Sequence, residues 1–123
     1  MRPIKFRAWD TVKGTLFLNV QNLYDFCDLL RDDRYTFMQF TGLLDKQGKE
    51  IYDGDHLRFA YEEDLSAGVF EGTVEWSADG YWQIMIDAHG FSMAIFSDKI
   101  SEIELLGNIY EHPHLLQEAP RHA

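Results

Sequence analysis

The sequence predicts a mainly β protein: a small twisted barrel or a pair of packed β-sheets, with one short helix covering an opening. Three observations predict it. Apolar and polar residues alternate with a period of two along most of the short straight runs, which is the pattern of half-buried strands. Turn-forming residues separate these runs, most densely from Met38 to Leu57, where Gly42, Gly48 and Gly54 interrupt short apolar stretches. A helical period occurs in one place, between Asn22 and Leu30. With 123 residues, 46% of them hydrophobic and 15% aromatic, the chain can bury one core without disulfides or metal.

The elements follow in order. Ile4 to Asp10 alternates so that Ile4, Phe6 and Ala8 share one strand face and Lys5, Arg7 and Trp9 the other. Asp10 to Gly14 is a turn, and Thr15 to Leu18 a second strand. Arg2, Lys5 and Arg7 make a small basic patch, read here as protection of an edge strand against pairing with another molecule rather than as a nucleic-acid contact. From Asn22 to Leu30, the residues Leu23, Phe26, Cys27 and Leu30 fall on one helical face, with Asn22 placed to cap the helix. Cys27 on that stripe is expected to be a buried small hydrophobe, since no neighbouring base would lower its pKa.

Tyr35 to Phe40 is again an alternating strand, Glu50 to Tyr52 a brief one, and Asp53-Gly54-Asp55 a tight turn feeding His56 to Ala60. Asp53, Asp55 and His56 are residue types that bind metals or move protons. The spacing lacks the further oxygen ligands of a calcium loop and matches no zinc pattern, so turn chemistry is the preferred reading. Tyr61 to Gly68 reads as an acidic excursion. The hairpin around Ser77-Ala78-Asp79-Gly80 is the clearest of the chain, with Val74 and Trp76 on one arm and Trp82, Ile84 and Ile86 on the other. Phe91 to Phe96 and Ile100 to Leu105 complete about eight short strands. His112 and His114 could share a metal only with ligands from elsewhere, and residues 117–123 read as a flexible tail beyond a single 1–116 domain.

Charge is divided unevenly. Residues 1–60 carry nine acids and nine bases, whereas residues 61–123 carry twelve acids against Lys99 and Arg121, which is the whole net charge of −10. Such a half repels phosphate and suits solvation or a basic partner. The single cysteine excludes an internal disulfide, and no apolar run approaches the roughly 20 residues of a membrane span. Together with an opening that lacks the features of a signal peptide, this sets the expectation of a cytoplasmic protein.

Three stretches carry a family resemblance: Ile4-Lys5-Phe6-Arg7-Ala8-Trp9-Asp10; Gln39-Phe40-Thr41-Gly42-Leu43-Leu44-Asp45 with Gly48-Lys49-Glu50-Ile51-Tyr52-Asp53-Gly54-Asp55; and Leu106-Gly107-Asn108-Ile109-Tyr110-Glu111-His112-Pro113. In that order they resemble the YopX family of phage and prophage proteins, with residues 19–34 and 61–68 least well covered. The resemblance implies a mainly β, barrel-like fold, expression in the bacterial cytoplasm from a phage element, and self-association. It implies no catalytic residue, and no cofactor is expected.

The functional expectation is therefore a non-enzymatic phage accessory module that binds a macromolecule, with a protein as partner and Glu62, Glu63 and Asp64 as the contact residues. An oligomeric structural protein is the alternative. Enzyme and direct nucleic-acid binder rank behind both, and neither a metal, a membrane nor a small-molecule substrate is implied.

Overall fold

The computed structural model describes residues 4–64, 66–86 and 91–111, with Phe91 as backbone only. Among these residues, nine strands form two antiparallel sheets. The first contains β1 (Phe6–Asp10), β2 (Thr15–Phe17), β3 (Tyr35–Leu44) and β4 (Glu50–Tyr52), in the order β2-β1-β3-β4. The second contains β5 (Asp55–Glu63), β6 (Ser66–Trp76), β7 (Trp82–Ile86), β8 (Phe91–Ala94) and β9 (Ile100–Asn108), in the order β8-β7-β6-β5-β9. The mainly β expectation holds.

Alternation decides which residues fill the interior. Leu57 and Phe59 on β5, Val74 on β6, and Trp82, Ile84 and Ile86 on β7 bury one face of the second sheet, joined by Ile51 and Ile95. A smaller cluster of Met38, Phe40 and Tyr52 lies under the first sheet, with Trp9, Leu16 and Tyr110 against it. Ile51 and Tyr52 are adjacent on β4 and so point to opposite sides, one into each cluster. This short strand thereby ties the two cores together. Each fully buried aliphatic side chain contributes about 1.5–3 kcal/mol relative to exposure.

The hairpin between β6 and β7 forms as its turn chemistry predicts. Trp76 faces Trp82 across it, Gly80 N–H donates to the Ser77 carbonyl at 3.0 Å, and the Ser77 Oγ accepts from Asp79 N–H at 3.0 Å. The two indoles do not share burial. Trp82 is 7% exposed and belongs to the core, whereas Trp76 is 54% exposed and packs its ring edge-on against Trp82 at 4.9 Å.

Three expectations need correction. The helix, α1, covers only Phe26–Leu30, with a separate 3-10 turn at Val20–Asn22, so Asn22 ends that turn instead of capping the helix. Its packed side is Phe26, whose ring meets Phe6 at 5.6 Å and Phe37 at 5.9 Å. Leu23 and Leu30 are about half exposed and Cys27 is exposed, because five residues make too little helix to bury a continuous stripe. The stretch from Tyr61 to Gly68 is no excursion: β5 and β6 stay paired out to Glu63 and Ser66, with Asp64 at φ +50°. Finally, β1 is not an edge strand, since β2 and β3 pair with it on either side.

Gly72 carries weight that the alternation does not reveal. A Cβ there would overlap the Met85 carbonyl oxygen and lie 2.6 Å from Ile84 Cγ2, so β7 can approach β6 only because the side chain is missing.

Candidate functional site

The corner at Asp53-Gly54 is where the two sheets are joined. Asp53 N–H donates to the Gln39 carbonyl on β3 at 2.9 Å, Gly54 N–H to the Val74 carbonyl on β6 at 2.9 Å, and Ile109 N–H to the Gly54 carbonyl at 3.0 Å. Gly54 has φ +87°, and a Cβ on it would sit 3.3 Å from the Tyr110 ring and 3.5 Å from Met38 Sδ. Both the backbone and the space select glycine.

Asp55 follows the corner and is only 1% exposed. It pairs with the Arg7 guanidinium and accepts Tyr52 N–H at 2.7 Å, while the guanidinium lies 4.5 Å from the Tyr52 ring centre. Burial pushes the Asp55 carboxyl up to about 6, against the pull of Arg7 and of the Tyr52 N–H. Burial likewise raises the Tyr52 phenol to about 12, helped by the Glu50 charge. His56, also buried, places Nδ1 3.2 Å from Thr73 Oγ1 and Nε2 3.5 Å from Glu71 Oε1.

Beside this corner opens a cleft of about 440 Å³ lined by Phe6, Phe37, Gln39, Asp53, Trp76 and Trp82. The strands explain its make-up. Phe6 from β1 and Phe37 from β3 lie on one wall with Gln39, and the indoles of the β6–β7 hairpin on the other. Trp76 and Trp82 also form a wall of a second, more apolar cleft with Leu43, Tyr81, Ile95 and Phe96. The Trp82 indole N–H is buried with no acceptor among the described residues. The Asp53 carboxyl has no hydrogen-bond or ion-pair partner among them either, and burial, with the charge of Glu75 adding to it, raises its pKa against the pull of the Arg7 charge. Among the described residues no three metal-binding side chains come together, so the cleft offers aromatic faces and one carboxylate.

The YopX protein family model matches residues 18–117. The chain belongs to the YopX family. The YopX fold is also evident from solved structures. The protein EF1440 from Enterococcus faecalis is 23% identical, with 94% of this chain and 99% of that one aligned at a TM-score of 0.59. Protein yopX from Bacillus subtilis is 18% identical over the same shares, with a TM-score of 0.57. No curated protein matches the chain.

In this YopX chain the residues singled out from sequence are dispersed. Glu62 is exposed on β5, Glu63 is occupied by Lys99 and the Tyr61 hydroxyl, and Asp64 sits at the hairpin tip. Strand alternation points Glu62 and Glu63 to opposite sides of β5. Arg7 is 6% exposed and locked to Asp55, and Lys5 pairs with Glu50, so neither belongs to a free basic patch. Asp55 is an ion-pair residue more than a turn residue. Arg2, His112, His114 and the 117–123 tail lie outside the described residues. The cleft itself was missed. Phe6, Phe37, Asp53, Trp76 and Trp82 come from five separate segments, and only the unusual density of aromatics hinted at it.

Proposed function

We propose that this protein is a phage accessory module without catalytic activity, folded as one YopX-like domain over residues 1–116 and acting in the bacterial cytoplasm by binding a protein with a basic contact surface. The observation that carries the reading is the outer face of the second sheet. Register places Glu62, Glu71, Glu75 and Glu104 on that face, since Arg58 lies opposite both Glu71 and Glu104 and strand alternation extends the set. Arg58 is the cation among them, paired to Glu71 at 3.1 Å and to Glu104 at 3.6 Å, which leaves the face acidic. No helix among the described residues is long and apolar enough to cross a membrane.

The test is capture of a partner from bacterial lysate at increasing salt. A partner held by this face should be released between about 0.15 and 0.5 M salt as screening shortens the reach of charge. Glu62→Lys combined with Asp64→Lys should weaken capture without unfolding the protein. Salt-indifferent capture, or tight binding of duplex DNA in a mobility shift, would sink the proposal.

A second reading is an oligomeric structural protein. It is favoured by the apolar side chains around the edge strand β2, where Phe17, Leu18, Leu23 and Tyr24 are all exposed. Solution mass separates the two: an assembly that persists at micromolar concentration supports the second.

A further inference from the structure

Asp53 behaves unlike the acids that close their own turns, and unlike turn acids such as Asp79 and Asp98, which close nothing among the described residues but are exposed. Asp10 accepts Val12 and Lys13 N–H, Asp45 accepts Gln47 and Lys49 N–H, and Asp32 accepts Arg34 N–H, each holding its own turn closed. The Asp53 carboxylate holds nothing among the described residues, although it is half-buried. Turn geometry therefore accounts for Gly54 but leaves the Asp53 side chain unexplained. Asp53 lines a cleft instead, together with the rings of Phe6, Phe37, Trp76 and Trp82.

The adjacent Asp55 shows what such a set is suited to hold. There a guanidinium rests on the Tyr52 ring and pairs with the carboxylate. The Asp53 cleft repeats the carboxylate and supplies more aromatic surface, but no cation among the described residues lines it: the charge of Arg7 is felt at Asp53, yet its guanidinium is paired to Asp55. We propose that this cleft is a binding site for an arginine side chain of a partner polypeptide, with Asp53 as its counter-ion and the exposed Trp76 indole, backed by Trp82, as the main aromatic face it stacks on.

Charge and hydration narrow the occupant. An anion would meet Asp53 and the nearby Glu75, whose charge is felt at Asp53. A hard divalent cation needs about six oxygen ligands, and the cleft supplies two residues with side-chain oxygens. A guanidinium is planar, weakly hydrated and forked, so it stacks on indole while both carboxylate oxygens accept from it; an ammonium is more strongly hydrated and does neither as well. Glu75 lies between Val74 and Trp76 on β6 and points to the acidic outer face, so the cleft and the surface proposed above for a basic partner lie on opposite sides of the same strand. The inference deepens that reading, and it can be tested without any partner.

The experiment titrates blocked arginine (N-acetyl-arginine-methylamide) into isotopically labelled protein and follows the indole N–H resonances. Blocked lysine and blocked citrulline, the neutral isostere of arginine, are run alongside. Arginine should shift Trp76 and Trp82 and leave Trp9 in place, with lysine weaker and citrulline weaker by roughly tenfold or more. Asp53→Asn should lose at least about tenfold in arginine affinity with no fall in melting temperature, because it removes a charge that burial disfavours. Trp76→Leu, at an exposed ring, should also weaken binding and leave the fold intact. Glu62→Lys with Asp64→Lys, away from the cleft, should leave the arginine titration unchanged even where it weakens partner capture. Equal binding of citrulline, or full affinity in Asp53→Asn, would overturn the site; equal binding of lysine would overturn the choice of arginine.

Discussion

Arg34–Asp10 at the rim of the first sheet and Arg7–Asp55 at the junction of the two sheets are the same chemical pair in different surroundings. Both carboxylates are about 1% exposed. Asp10 accepts four donors: Val12 N–H at 2.9 Å, Lys13 N–H at 3.0 Å, and two from the Arg34 fork at 2.9 and 2.8 Å. Asp55 accepts one from Arg7 and one from Tyr52 N–H. The hydrogen bonds of Arg34, followed by those of the turn, hold the Asp10 carboxyl well below its ordinary value, whereas burial pushes Asp55 up to about 6. The opposed shifts reflect both the depth of the site and the donors aimed at the carboxylate: Asp10 lies at the rim with four, Asp55 at the junction with two.

The junction pair should be the more expensive one to break. Arg7→Met leaves Asp55 buried without its counter-ion and is expected to cost about 3–5 kcal/mol. Urea midpoints measure it. Replacing both partners, Arg7→Met with Asp55→Leu, should recover the part of that loss due to the unpaired charge, but not the roughly 1–3 kcal/mol of leaving the buried Tyr52 N–H without its acceptor. A double variant as unstable as the single one would mean that the pair does more than satisfy itself.

Gly54→Val comes next in size. A β-branched residue at φ +87° carries about 1–3 kcal/mol of backbone strain, and its Cβ presses on the Tyr110 ring. The loss should show as a lower melting temperature, and Gly54→Ala should lose less. Wild-type stability in Gly54→Val would mean that the corner can relax without parting the sheets.

How far these features can be read from the sequence depends on the range of the interaction. The hairpin around Asp79-Gly80 and the turn at Asp10 are local, and their turn chemistry is visible within five residues. Arg7 looked like a solvent-facing base because Lys5, Arg7 and Trp9 alternate away from Phe6 and Ala8. Its partner Asp55 lies 48 positions further on, and no local period records that meeting. The helix failed for a different reason. Leu23, Phe26, Cys27 and Leu30 have the right spacing, but the chain turns as a 3-10 segment first and leaves only Phe26–Leu30 helical. Asp53 was legible as part of a turn, while the rings around it were not legible as a cleft.

pH should separate the two pairs. Asp55 binds its proton more tightly folded than unfolded, so its contribution to stability is full below about 3.8 and is lost as pH rises through about 6. Asp10 is shifted the other way, so its contribution is present above 3.8 and is lost as pH falls below it. Asp45 adds to the acid limb. Burial works against its charge, but the N–H groups of Lys49, Leu105 and Gln47 outweigh that and hold its pKa low. Melting temperature is therefore expected to pass through a maximum on the acid side of pH 6. Asp55→Asn should reduce the slope between about 3.8 and 6, leaving what Asp53 contributes there, and Asp10→Asn should reduce the slope below 3.8, leaving what Asp45 contributes. If one substitution flattened both limbs, the pairs would not be independent.

The smallest effect belongs to Arg34. Its side chain is one-third exposed, and removing it leaves Asp10 with the Val12 and Lys13 N–H groups still aimed at it. Arg34→Gln should therefore shift the urea midpoint much less than Arg7→Met, since an exposed partner loses mostly screened charge whereas a buried one leaves an uncompensated ion. Salt sharpens the contrast. Raising ionic strength to about 1 M shortens the reach of charge to roughly 3 Å and should erase most of what Arg34 contributes, while the Arg7 pair, sealed under Met38 and Tyr52, should be nearly indifferent. Equal salt sensitivity in Arg34→Gln and Arg7→Met would place both pairs in the same dielectric surroundings, and the difference in donor number would then have to explain the opposed carboxyl shifts by itself.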